Sequence, residues 1–92
     1  MTTEAGVYQG EFEKNGRKKH GKGLMIYTNG EKYDGFWAND KKHGKGQMIY
    51  KNGDKYEGDW ANDKREGKGC LTFAATKAQA NGRWENDFFL DD

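Results

Sequence analysis

Three stretches of this chain alternate large apolar residues, polar residues and glycine with a period of two. They are YQGEF at 8–12, YDGFW at 33–37 and YEGDW at 56–60; a worn fourth copy, ANGRW, stands at 80–84. A period of two marks a strand with one covered face. The segments between them, GKGLMIYTNGEK, GKGQMIYKNGDK and GKGCLTFAATKAQ, alternate in the same way. Gly21, Gly23, Met25 and Tyr27 share one side, and Lys22, Leu24 and Ile26 share the other. Asn29-Gly30 and Asn52-Gly53 follow these runs, and Asn-Gly between alternating stretches is a strong hairpin signal. The pattern predicts an all-β chain, a single-layer antiparallel meander of about seven strands in an elongated array.

The pattern is also periodic. Tyr33 to Tyr56 is 23 residues, as is Gly44 to Gly67, while Tyr8 to Tyr33 is 25 and Tyr56 to Ala80 is 24. Residues 1–92 then form one domain, with repeats at about 8–30, 33–53 and 56–76 and a partial capping repeat at 80–92. Departure from the motif in the last copy suits the end of a stack, and Phe88, Phe89 and Leu90 either fold over the open end or dock a second chain. The stretch AATKAQA replaces the Asn-Gly turn and is too short to insist on a helical turn.

Turn length selects the register. A two-residue loop sets Tyr33 beside Ile26 and Trp37 beside Lys22. The expected register takes a three-residue loop with glycine in the left-handed position, and places Tyr27 beside Tyr33, Met25 beside Gly35 and Gly23 beside Trp37. Its next copy pairs Tyr50 with Tyr56, Met48 with Gly58 and Gly46 with Trp60. Every glycine then faces a bulky partner that lies over it. Gly10, Gly21, Gly23, Gly35, Gly44, Gly46, Gly58, Gly67 and Gly69 are on this reading structural.

The motif, Y-x-G-x-W followed after five to seven residues by G-x-G-x-x-x-Y and N-G, resembles the MORN (membrane occupation and recognition nexus) repeat over nearly the whole chain. The resemblance implies rows of β-hairpins. It occurs in proteins as different as junctophilins, plant phosphatidylinositol phosphate kinases and cytoskeletal scaffolds, so it specifies fold more than function.

Composition narrows the choices. The chain has 92 residues, 33% hydrophobic, 34% charged and 14% aromatic, with no proline and one cysteine, and its mean hydropathy is -1.27. Charge of that density can mean disorder, but aromatics and glycines held in register oppose it. Cys70 alone builds neither a disulfide nor a metal knuckle. The absence of a long apolar run or a leader pattern leads to an expectation of a cytoplasmic protein, at the cytoskeleton or a membrane. A net charge of +1 gives no overall pull toward nucleic acid.

HGKG at 20–23 and 43–46 and EGKG at 66–69 invite a phosphate-loop reading. They lack the Walker spacing, the hydroxyl and the following helix, so no nucleotide or other cofactor is expected. His20 and His43 lie about 10 Å apart at equivalent positions, too far to share a metal whose ligands stand at about 2 Å. Serine is absent, and the acids sit outward (Glu11, Asp34, Glu57, Asp59) or in turns (Asp40, Asp54, Asp63), so no catalytic set is expected.

Two candidate surfaces remain. Lys18, Lys19 and Lys22 recur as Lys41, Lys42 and Lys45 and as Lys64, Arg65 and Lys68, which predicts a ladder for anionic lipid along one sheet edge. Tyr8, Phe12, Tyr27, Tyr33, Trp37, Tyr50, Tyr56, Trp60 and Trp84 predict a half-covered aromatic face able to hold a peptide or helix. The favoured function is a non-catalytic scaffold or adaptor for a protein partner. The alternatives are peripheral attachment to a phosphoinositide membrane and an accessory relative of MORN-bearing phosphatidylinositol phosphate kinases without kinase activity of its own. A homodimer through Phe88, Phe89 and Leu90 is a further expectation.

Overall fold

The computed structural model describes residues 2–3, 6–14, 16 and 18–90. They form nine strands and no helix: β1 (Thr2–Thr3), β2 (Gly6–Phe12), β3 (Lys19–Tyr27), β4 (Lys32–Ala38), β5 (Lys41–Ile49), β6 (Lys55–Ala61), β7 (Lys64–Thr72), β8 (Gln79–Glu85) and β9 (Phe88–Phe89). Each pairs antiparallel with the next in one sheet. Seven strands of seven or nine residues carry the meander, and β1 and β9 add short edges. Eight strand spacings span about 38 Å, against an observed long axis of 40 Å. The long axis therefore runs across the strands, as a single layer requires.

The register corrects the expected one. Thr28, Asn29 and Gly30 do make a three-residue loop: the Tyr27 N–H donates to the Glu31 carbonyl (2.8 Å), the Gly30 N–H donates back to the Tyr27 carbonyl (3.0 Å), and Gly30 has φ +95°. Such a loop joins the residues that flank it, so Tyr27 meets Glu31 and not Tyr33. Every pairing moves by two positions: Met25 faces Tyr33, Gly23 faces Gly35 and Gly21 faces Trp37. The next hairpin repeats this with Met48–Tyr56, Gly46–Gly58 and Gly44–Trp60. Glycine thus faces glycine across an unbroken row, Gly10–Gly23–Gly35–Gly46–Gly58–Gly69–Gly82.

That row is filled along the strands rather than across them. Tyr8, Tyr33 and Tyr56 lie down their own strands, and each phenol donates to the carbonyl three residues on, Glu11, Phe36 and Asp59 (2.7–3.0 Å). The rings cover the glycine of the next strand so closely that a Cβ on Gly23, Gly46 or Gly69 would lie inside the phenol. Gly21, Gly44 and Gly67 do different work. They have φ of +79°, +78° and +89°, a backbone that side chains resist, at the centre of bulges where three residues (20–22, 43–45 and 66–68) stand against one on the preceding strand. The HGKG motif is therefore a bulge followed by a ring's seat.

Two kinds of turn alternate. At one edge Asn39-Asp40, Asn62-Asp63 and Asn86-Asp87 all have φ between 50° and 73°, the two-residue turn that matches strand twist. At the other edge are the three-residue Asn-Gly loops, and residues 74–77 form a four-residue loop closed by the Phe73 N–H donating to Ala78 O, with Lys77 at φ 63°. That extra residue accounts for the interval of 24.

Candidate docking surface

The inner face is an aromatic zipper. Ring centroids follow one another at 5.0–5.7 Å in the order Phe12, Tyr8, Trp37, Tyr33, Trp60, Tyr56, Trp84, Phe89. The first six contacts are edge-to-face, the arrangement ring quadrupoles favour. The indole N–H groups of Trp37, Trp60 and Trp84 donate to the carbonyls of Gly23, Gly46 and Gly69 (3.0–3.2 Å).

This packing closes most of the expected aromatic surface. Tyr8, Tyr33, Trp37, Tyr56, Trp60 and Trp84 are 0–4% exposed and form a core with Met25, Met48 and Leu71. They are not half-covered rings awaiting a ligand. Burial raises the Tyr33 and Tyr56 phenols well above the usual tyrosine range. Of the nine aromatic positions, Phe12, Tyr27 and Tyr50 remain half-buried.

The covering layer comes from cations. Lys19 lies over Trp37 (5.2 Å), Lys42 over Trp60 (5.3 Å) and Arg65 over Trp84 (4.6 Å), with side chains only 14–20% exposed. Each is fixed by the aspartate of the next turn. Asp40, Asp63 and Asp87 accept the backbone N–H of Lys19, Lys42 and Arg65 (2.7–2.8 Å) and pair with the side-chain cation (3.2–3.6 Å). Asp40 and Asp63 were legible only as turn residues and Asp87 was not read at all; recurrence directly after asparagine is the signal that marks all three.

The nine predicted cations therefore divide. Lys19, Lys42 and Arg65 face inward and hold the zipper, whereas Lys18, Lys41 and Lys64 are exposed beside the turns. Lys22, Lys45 and Lys68 are exposed in the bulges on the outer face, where Lys45 pairs with Asp59 (2.6 Å). In the last hairpin Phe89 takes the register position opposite Trp84 that Lys42 and Arg65 take opposite Trp37 and Trp60, with its ring 5.1 Å from the indole. Phe88 is 71% exposed and Leu90 is exposed as well.

Two equivalent groups remain open on the inner face. Tyr27 lies 5.8 Å from the Lys42 ammonium, and its phenol is pushed up to about 12 by burial, with Asp63 and Glu31 adding to the shift. Tyr50 lies 5.9 Å from the Arg65 guanidinium and is raised by burial, which Arg65 opposes. Both phenols are protonated donors near neutral pH. A groove of about 660 Å³ runs past Tyr50, lined by Glu31, Lys51, Asn52, Asp54, Arg65 and Leu71. Glu31 and Asp54 also tie neighbouring turns together, accepting the N–H of Lys51 (3.2 Å) and Ala74 (2.8 Å). The sequence reading placed Asp54 only as a turn acid and did not name Glu31, although both immediately follow the glycine of the turn.

Among the described residues no group of three histidine, cysteine or acidic side chains is placed to hold a metal. Comparison with curated proteins finds no match. The MORN repeat family matches residues 8–32, 33–55 and 56–75, the same three units that the zipper and the bulges define, and the chain belongs to the MORN repeat family.

Proposed function

We propose that this chain is a non-catalytic interaction module that holds a segment of a protein partner along its inner face, across Tyr27 and Tyr50. The observation that carries this reading is the groove beside Tyr50: a half-buried ring with a phenol donor, an apolar floor at Leu71 and acids on the rim. Rings rigidly seated on a packed core lose little entropy when they are covered, which favours tyrosine as an anchor. Repeat modules of this family commonly serve membrane or protein interactions, and that breadth agrees with such a role.

Selection from displayed random twelve-residue peptides tests it. The wild-type chain is expected to enrich peptides that lose binding to a Tyr27→Ala/Tyr50→Ala variant and keep it to Lys41→Ala/Lys64→Ala. A second reading is favoured by the exposed Lys18, Lys41 and Lys64 at equivalent places beside the turns: attachment to anionic lipid. Co-sedimentation with phosphoinositide vesicles that Lys41→Ala/Lys64→Ala abolishes, in the absence of tyrosine-dependent peptides, would replace the first reading by the second.

A further inference from the structure

Tyr27, Tyr50 and Phe73 are equivalent residues of successive hairpins, each the last before its loop. Phe73 is 39% exposed, and Tyr27 and Tyr50 are half-buried, so the three make a row of rings along one side of the inner face. Successive rings are two strand spacings apart, about 9.6 Å. A chain laid across the strands must offer a contact at that interval, on the same side each time.

Three backbone forms can be compared on that spacing. An extended strand rises about 3.3 Å per residue, but its side chains alternate faces, so the third residue points away. An α-helix returns to the same face after a heptad, about 10.5 Å, and drifts about 1.8 Å over the two intervals of this row. A polyproline II helix returns after three residues, about 9.3 Å, and drifts only about 0.6 Å. It is also slim and leaves its carbonyls without internal partners, which the protonated Tyr27 and Tyr50 hydroxyls complement. A helix has already satisfied its own carbonyls. Glu31 and Asp54 place carboxylates at the groove rim, and an ionised carboxylate takes about four hydrogen bonds. Glu31 accepts from the Lys51 amide, and Asp54 accepts from the Ala74 amide and the Asn52 side-chain amide, which leaves each carboxylate room for a cation.

We propose that the inner face binds a proline-rich segment in the polyproline II conformation, with every third residue against Tyr27, Tyr50 and Phe73 and a basic residue beside Glu31 or Asp54. This rests on the docking reading above and names its partner class.

The test titrates the full chain with three synthetic twelve-residue peptides, followed by calorimetry and by the ring resonances of Tyr27, Tyr50 and Phe73. The first carries proline at every third position and a terminal arginine. The second has the same composition with the prolines clustered, and the third is an amphipathic heptad helix. The period-three peptide is expected to bind at least tenfold tighter than the other two and to shift all three ring signals. Tyr50→Phe should weaken it several-fold in a chain that stays folded, since the ring remains and only the hydroxyl with its bond to Arg65 is lost. Equal binding of the clustered peptide, or tighter binding of the helix, would overturn the proposal. If the displayed peptides depend on Tyr27 and Tyr50 but carry no proline periodicity, the partner class falls while the docking reading stands. If no peptide depends on those tyrosines, both fall.

Discussion

The two faces of the sheet are built from the same strands and solve different problems. The inner face stacks Tyr8, Trp37, Tyr33, Trp60, Tyr56 and Trp84 into a chain of rings that solvent barely reaches. The outer face leaves Val7 at 38%, Ile26 at 37%, Phe36 at 46% and Ile49 at 38% exposure, interspersed with charges. Phe36 and Trp37 are chain neighbours, yet one is open and the other is core. A single layer has only one interior, and the glycine row decides which side it is. Rings can lie flat only where the neighbouring strand has no Cβ.

The largest effect should come from removing a ring of the zipper. Trp60→Ala removes two edge-to-face contacts, with Tyr33 and Tyr56, and the bond to Gly46 O. It should cost about 3–5 kcal/mol in urea unfolding, whereas Phe36→Ala should stay within about 0.5 kcal/mol. A comparable loss for both would break the distinction between the faces.

Next come the glycines. Gly46→Ala drives a methyl into the Tyr33 ring and should cost about 1–3 kcal/mol or more through overpacking. Gly30→Ala meets nothing within 4 Å and carries only the strain of φ +95°, about 1 kcal/mol. Thermal melts of the two variants separate the steric role of glycine from the conformational one.

The inward cations give a smaller effect. Arg65→Ala removes the cover of Trp84 and the pair with Asp87, and should cost about 1–2 kcal/mol. Lys41→Ala, at an exposed position one residue before its inward neighbour, should leave the melt unchanged. An equal response would return the two to a single ladder.

The alkaline limb sharpens the contrast further. Folded Tyr27, Tyr33 and Tyr56 hold their protons above the ordinary tyrosine value of about 10. Below about pH 10 both states are protonated and these phenols leave stability flat. Above it the unfolded chain ionises first, so stability falls as pH rises toward and beyond the folded value of about 12 for Tyr27. Absorbance at 295 nm should show the buried phenols ionising only with unfolding.

Much of this was legible in the residues. Alternation placed the strands, and Asn29-Gly30 and Asn52-Gly53 placed two turns. The loop of three residues was also legible, yet the pairing drawn from it put Tyr27 opposite Tyr33. The guiding assumption was that a large residue must sit directly across from a small one. The structure meets the same need along the strand, through Tyr33 reaching the Phe36 carbonyl over Gly46. Asp40 and Asp63 read as turn residues, but the two-residue form of their turns was hidden because Asn39-Asp40 lacks glycine at a site that demands φ above zero twice. Lys19, Lys42 and Arg65 read as surface because hydropathy counts their charge and not the stems that cover Trp37, Trp60 and Trp84. The docking tyrosines could not be told from the core tyrosines, since periodicity reports the face of a residue and not its depth.

The central claim is that the aromatic face is core and that binding is left to the rings above it. Hydrogen exchange of the three indole N–H groups tests this directly. Trp37, Trp60 and Trp84 should exchange only through global unfolding, each held by a glycine carbonyl beneath its neighbours. Exchange of all three at the rate of free tryptophan, in a chain that remains folded, would contradict it.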